Sequence, residues 1–214
     1  MPDPIPNNYN FKIKHKKRDN RYSMSSATSY GNMYGIGYMI SGDRIIITPH
    51  KTVTVHPCTI QFMHKDLIHH TTYITDGIYE NVDIKFRESV TEHIITIIGQ
   101  EQFDMLYDQI SINLTPEANE QISQIVKLIE YEWDNYDTYS DAMIENLVVR
   151  FFVTALRGQT FSPQINTIIK VARSSLLEAV HYIQKHYAES LSLKEVAGNV
   201  HISEAYLSRL LPLT

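Results

Sequence analysis

Residues 176–211 read LLEAVHYIQKHYAESLSLKEVAGNVHISEAYLSRLL, and the spacing of apolar positions in this stretch decides how the C-terminal part of the chain folds. Two capping boxes, Ser175-x-x-Glu178 and Ser192-x-x-Glu195, place helix starts near Leu176 and Leu193, because each pair satisfies backbone amides that a helix start leaves open. The first helix would bury Leu176, Val180, Ile183 and Tyr187, and Ala188 to Leu191 form a short connection. From Leu193 onward the apolar positions Val196, Ala197, Val200, Ile202, Leu207 and Leu210 cannot share one helical face, since Ile202 falls out of phase. Ser203 is a good N-cap, so two short helices joined at His201 accommodate them all, with Ala197 where the helices approach. This is helix-turn-helix geometry, with Ser203 to Leu211 as the second helix.

Working upstream, residues 34–86 break into short runs of β-forming residues: Tyr34–Ile40, Arg44–Thr48, Thr52–His56, Thr59–Met63, Thr71–Thr75 and Tyr79–Phe86. Turn signals separate them at Ser41-Gly42-Asp43, His56-Pro57 and Asp76-Gly77. Runs this short and regular predict a β-sandwich or small barrel. In the last run Val82, Ile84 and Phe86 alternate with Asp83, Lys85 and Arg87, the pattern of one buried and one wet face. The basic cluster Lys12, Lys14, Lys16, Lys17, Arg18 and Arg21 could attract phosphate, but is read first as a solvated strand edge and loop.

After Ser89 the period changes to that of a helix. Ala118, Ile122, Ile125, Ile129 and Trp133 form one stripe, opened by Pro116, and Ile144, Leu147, Val148, Phe151 and Ala155 form another. Joined by Asp134 to Ser140, the two predict an antiparallel hairpin whose apolar surface exceeds what one small barrel covers; a homodimer through it is the expectation. Arg157 to Pro163 reads as a linker.

A net charge of -5 leaves DNA binding to a local surface, if any, and 43% apolar residues suffice for a proper core. One cysteine, Cys58, cannot form an internal disulfide and reads as a small buried filler. The polar, proline-containing N-terminus lacks a signal core and no apolar run approaches the ~20 residues of a membrane span, so a cytoplasmic protein is expected.

The stretch from Leu176 to Leu211 resembles the first helix-turn-helix of the AraC family of transcription regulators, through the tyrosine and short link, Leu-x-x-Val-Ala, and Ser-x-x-Tyr-Leu-Ser-Arg-Leu. The resemblance implies that Ala205, Ser208 and Arg209 face the DNA groove, with Arg209 able to pair with guanine or reach a phosphate. Where the family continues with a linker helix and a second helix-turn-helix, this sequence reads Leu210-Leu211-Pro212-Leu213-Thr214. The expectation is therefore a C-terminally truncated regulator with impaired operator binding.

The segments YGIGYMISGDRIII, CTIQFMHKDLIHH and YENVDIKF resemble the cupin-like sensor of the same family. Against metal-binding cupins, Ser29 and Gly31 fall where a histidine pair belongs and Gly35 where a glutamate belongs; His69 alone matches. No metal and no cofactor are expected, although His50, His56, His64, His69 and His70 crowd one span. Strand parity suggests a barrel mouth lined by Tyr34, Tyr38, His69, Tyr79 and Glu80, suited to a small polar effector such as a sugar.

The reading is an α+β chain with three parts: a cupin-like β-barrel sensor over 1–89, a helical dimerisation region over 90–160, and a partial DNA-binding domain over 170–214. It is not read as an enzyme. The rival readings are a metal-dependent cupin enzyme and a dimerising interaction protein without DNA binding.

Overall fold

Alternation along the strands sorts side chains onto two faces, and that sorting builds two packed layers and one enclosed space. The computed structural model describes residues 9–18, 22–73, 78–160, 179, 182–183, 186, 191–200 and 203–210. Nine strands are described: β1 (Phe11–Arg18), β2 (Met33–Ser41), β3 (Arg44–Ile47), β4 (Thr52–Val55), β5 (Thr59–Met63), β6 (His70–Tyr73), β7 (Tyr79–Arg87), β8 (Ser111–Leu114) and β9 (Gln159–Thr160). They form a six-stranded sheet in the order β1-β7-β2-β5-β8-β9 and a three-stranded sheet β4-β3-β6. The fold is α+β with antiparallel pairing, and the described strands make two sheets rather than the closed barrel expected.

The expected strands stand within two residues of their predicted ends where they are described; Ile74, Thr75 and the Asp76-Gly77 turn lie outside the described residues. The turn at His56-Pro57 is present, and Cys58 follows proline at φ 65°. A positive φ belongs to a tight turn rather than to a strand, and Cys58 is exposed and not a core filler.

The large sheet carries four helices on one face: α1 (Glu88–Ile98), α2 (Gln100–Gln109), α3 (Pro116–Asp134) and α4 (Ser140–Gly158). Phe11, Ile36, Phe62, Val82, Ile84 and Phe86 from the strands meet Ile94, Leu106, Ile122, Ile129, Val148 and Phe152 from the helices in one core. Thr115 caps α3 by accepting from the Ala118 amide at 3.2 Å, with Pro116 in the first turn as predicted. Ile122, Ile125, Ile129, Ile144 and Phe151 are all at most 1% exposed. The stripe expected to join two chains is thus covered by the chain's own sheet, because β8, a strand invisible to the sequence reading, returns between α2 and α3 and lays both long helices back on it.

Gly158, expected as a linker breaker, ends α4 instead. A β-carbon there would overlap the Ala118 β-carbon, so the end of α4 lies against the start of α3 only because residue 158 has no side chain. This also fixes the two helices as antiparallel.

On the outer side, β1 is tied to α3 through His15, whose Nε2 lies 2.8 Å from Glu80 and whose Nδ1 lies 2.7 Å from Glu130. Burial pulls the imidazole down, but hydrogen bonds and charge from Glu80 and Glu130 leave its pKa raised. A raised histidine stabilises the fold fully below the unfolded value of 6.5, and that contribution disappears as pH climbs through the folded value. Melting temperature is accordingly expected to fall between about pH 6 and pH 8, and to fall less steeply in His15→Gln. Equal slopes for the two proteins in differential scanning fluorimetry would contradict this.

Residues Met1–Thr48 with Val53–Phe161 form one compact unit, and Pro49–Thr52 with Ser162–Thr214 a second. In the second, α5 (Leu193–Asn199) and α6 (Glu204–Leu210) follow the predicted boundaries. The Ser192–Glu195 capping box is formed in both directions: the Glu195 amide donates to Ser192 Oγ at 3.2 Å, and the Ser192 amide donates to the Glu195 carboxylate at 2.8 Å. Val196, Ala197, Val200 and Leu207 are buried with Ala179. Ser175, Glu178, His201 and Ile202 lie outside the described residues, as does the tail from Leu211 to Thr214.

Candidate functional site

The two sheets enclose a cavity of about 400 Å³, within the size range of small-molecule sites. Its floor is the second face of β7. Residues 82, 84 and 86 turn to the helices, which leaves Tyr79, Asn81, Asp83 and Lys85 facing the cavity. The wet face predicted for this strand is therefore interior. Neighbouring β2 contributes Gly35 and Gly37 on the same side, since Tyr34, Ile36 and Tyr38 pack into the helix-facing core. A β-carbon at residue 37 would touch Gln61 at 3.4 Å and Asp83 at 3.5 Å, so glycine there keeps the floor open.

Among the described residues, three cations and one carboxylate line this space: Lys16 from β1, Arg44 from β3, and Lys85 and Asp83 from β7. Lys16 pairs with Asp83, and Asn81 Nδ2 donates to the other oxygen of that carboxylate at 2.5 Å. Two cations then lack a carboxylate of their own within the described cavity lining. Arg44 is 2% exposed; its Nη1 donates to the Tyr22 carbonyl at 2.7 Å, and its guanidinium carbon sits 3.4 Å from the centre of the Tyr79 ring. Nε and Nη2 of Arg44 have no partner among the described residues, and neither has Asn81 Oδ1. Buried polar groups are rarely left so, because each forfeits its hydration without recompense.

Lys85 stands 3.6 Å over the Tyr30 ring. Burial, helped by the charges of Lys16, Lys12 and Lys14 against the opposing pull of Asp83, lowers its pKa to about 8. His69 is 4% exposed; burial lowers its pKa, opposed by the Leu67 carbonyl 3.0 Å from Nδ1, so the ring is neutral near pH 7.

Of the five residues predicted to meet an effector, the structure brings His69 and Tyr79 to the cavity and places three elsewhere. Tyr34 and Tyr38 lie on the opposite face of β2, where Tyr34 stacks with Phe86 and the Tyr38 hydroxyl donates to Asn119 on α3 at 2.9 Å. Glu80 turns outward to His15. The reason in each case is parity: the strand face taken as a barrel interior is the face that four helices cover. Lys16, Arg44, Asn81, Asp83 and Lys85 went unselected. Their signal was present, as lysines alternating with Phe11 and Ile13 in β1 and as an arginine opening the apolar run of β3.

Gly35, in the position that resemblance assigns to a metal-binding glutamate, has no room for one. A β-carbon there would meet the Tyr30 ring at 2.5 Å. No cluster of three or more histidine, cysteine, aspartate or glutamate side chains able to hold a metal exists among the described residues. The residues present do not fit a cupin metal.

In the second unit, Ala205 and Ser208 are exposed on α6, one helical turn apart on the same face. Arg209 belongs to the same helix, and its side chain lies outside the described residues.

No family model and no curated protein matches the chain. Solved structures do resemble it. ToxT from Vibrio cholerae aligns with a TM-score of 0.46 at 14% identity, over 95% of this chain and 76% of ToxT. The AraC-like transcriptional activator CuxR aligns with a TM-score of 0.45 at 12% identity, over 94% of this chain and 70% of its own. A cupin protein from Bacteroides fragilis aligns over 37% of this chain and 68% of that one, with a TM-score of 0.35 at 10% identity. Among the described residues, no helix is long and apolar enough to cross a membrane.

Proposed function

We propose that this chain is a cytoplasmic, ligand-responsive regulator of transcription of the AraC type, and not an enzyme. The two sheets with helices α1 to α4, residues 1–160, sense an effector in the cavity. The segment 170–214 contacts DNA through Ala205, Ser208 and Arg209 on α6. The observation that carries the reading is the α5–α6 pair, with α5 capped by the Ser192–Glu195 box and the two helices packed through Val196, Ala197, Val200 and Leu207, in a chain that also encloses a polar, cationic cavity.

A homodimer remains part of the proposal, on a different surface from the buried stripe. Leu128 and Tyr131 near the end of α3, and Tyr139 and Met143 near the start of α4, are 48%, 63%, 74% and 48% exposed and flank the same turn. A second copy presenting the same residues would cover them, as a two-fold interface does.

The DNA-contact assignment is tested at Arg209. An arginine that pairs with a base edge or a phosphate contributes about 1 to 3 kcal/mol, so Arg209→Ala is expected to weaken binding at least about fivefold in fluorescence anisotropy against the promoter beside its own gene, at physiological salt. Indifference to Arg209→Ala would overturn the assignment.

A further inference from the structure

We propose that the cavity between the sheets takes a hydroxylated oxyanion, a sugar acid or sugar phosphate, with its anionic group on Arg44 and a hydroxyl donating to Asn81. The proposal rests on reading this cavity as the effector site, and it replaces the neutral sugar that the sequence suggested.

Arg44 supplies the first half of the argument. Its two nitrogens without a partner among the described residues, Nε and Nη2, lie along one edge of the guanidinium, and their N–H bonds point the same way as a parallel pair. That edge matches two oxygens of a carboxylate or phosphate, the arrangement in which arginine binds anions most strongly. The opposite side of the group is already fixed by Nη1 on the Tyr22 carbonyl and by the Tyr79 ring beneath it, so the free edge is held in place before any ligand arrives. A lysine on a flexible stem could not present this pair.

Asn81 supplies the second half. Its Nδ2 is committed to Asp83, which leaves Oδ1 as a buried acceptor that only a donor can satisfy. A hydroxyl provides one; a fatty chain does not. Tyr79 and Asn81 lie two residues apart on one face of β7, roughly 7 Å at strand spacing, and Arg44 sits over Tyr79. The anionic group and the donor must therefore be separated by several bonds, as across a sugar ring. Lys16 is neutralised by Asp83, while Lys85 adds a second positive charge beside the same floor. A neutral polyol would bring no counter-charge to Arg44 and Lys85, whose described cavity lining holds one carboxylate, that of Asp83, already paired with Lys16.

Four probes separate the possibilities in isothermal titration calorimetry on the full chain: D-glucuronate, D-glucose 6-phosphate, D-glucose and decanoate. One of the first two is expected to bind at least about tenfold tighter than glucose and decanoate, and which one it is identifies the oxyanion. Arg44→Gln is expected to lose at least about 30-fold, the loss of a charge-assisted pair of hydrogen bonds. Because Arg44 is buried, Arg44→Lys serves as a second variant that keeps the charge and loses the fork; it should lose about tenfold with far-UV circular dichroism unchanged. Gly37→Leu, which fills the floor, should abolish binding. Glucose or decanoate binding that survives both Arg44 variants but is lost in Gly37→Leu would overturn the oxyanion class and leave the cavity as the effector site. Binding that survives Gly37→Leu would overturn the cavity reading as well, and no heat from either anionic probe at about 10 mM would overturn the class.

Discussion

Ile125→Asp is expected to unfold the sensor unit. Ile125 is 1% exposed in the core between α3, α4 and the large sheet. Truncating such a residue costs about 2 to 5 kcal/mol, and a carboxylate in its place adds the penalty of an unpaired buried charge. A total of ~5 kcal/mol or more is comparable to the whole stability of many domains. At about 2 to 4 °C per kcal/mol for a chain of this size, the melting transition should drop by at least ~10 °C or be lost. Tyr131→Asp, 63% exposed on the same helix, supplies the contrast. It should leave the transition within the ~0.5 kcal/mol typical of surface changes, and should lower the mass in light scattering if a second copy docks there. A folded Ile125→Asp protein with halved mass would mean that the stripe is an interface after all.

The buried stripe shows where sequence periodicity stops being informative. A 3.6-residue repeat fixes which face of a helix is apolar, and the structure keeps that face for both α3 and α4. It carries no information on what covers the face. Here the covering element is the large sheet, and the strand that brings the helices back to it, Ser-Ile-Asn-Leu at 111–114, is too short for its alternation to stand out. Antiparallel pairing of Thr59, Ile60 and Gln61 with Asn113, Ile112 and Ser111 is a non-local fact.

Parity posed the same problem in the site. Alternation along β7 separates 79, 81, 83 and 85 from 80, 82, 84 and 86 without any structure, and the separation is correct. Which set faces the ligand depends on whether helices or a second sheet lie beyond each face. Tyr34, Tyr38, His69, Tyr79 and Glu80 were assigned to the ligand, and Asp83, Lys85 and Arg87 to the wet face, by the usual balance of burial. In this chain Tyr34 packs with Phe86, Phe103 and Tyr107 in the core, while Asp83 and Lys85 line the cavity beside His69 and Tyr79. The start of α5 in the second unit was legible for the opposite reason. Caps, the Ser192–Glu195 box among them, are local, and their geometry follows from residue choices within a single helical turn.

Asp83→Asn is expected to weaken the fold while tightening the site. Asp83 is the one carboxylate among the described residues lining the cavity; it pairs with Lys16 and accepts from Asn81. The pair is largely buried, with side-chain exposures of 28% for Lys16 and 12% for Asp83. Breaking a fully buried pair costs ~3 to 5 kcal/mol, and the partial access of Lys16 to water reduces this to about 2 to 3 kcal/mol, or a fall of roughly 4 to 12 °C in melting temperature. The same change removes the charge that opposes an incoming anion and that offsets Lys16 and Lys85. A unit charge several ångströms away, at the effective dielectric of a protein site, is worth on the order of 1 kcal/mol or more, so glucuronate or glucose 6-phosphate should bind about tenfold tighter. Tighter binding of the folded state returns stability by mass action, up to about 1.4 kcal/mol more than in the parent at saturating ligand. Thermal shift with and without the anion therefore shows a lower starting point and a larger rise for Asp83→Asn. A smaller rise would mean that Asp83 holds the ligand through its hydroxyl groups, and would move the recognition of the effector from its charge to its donors.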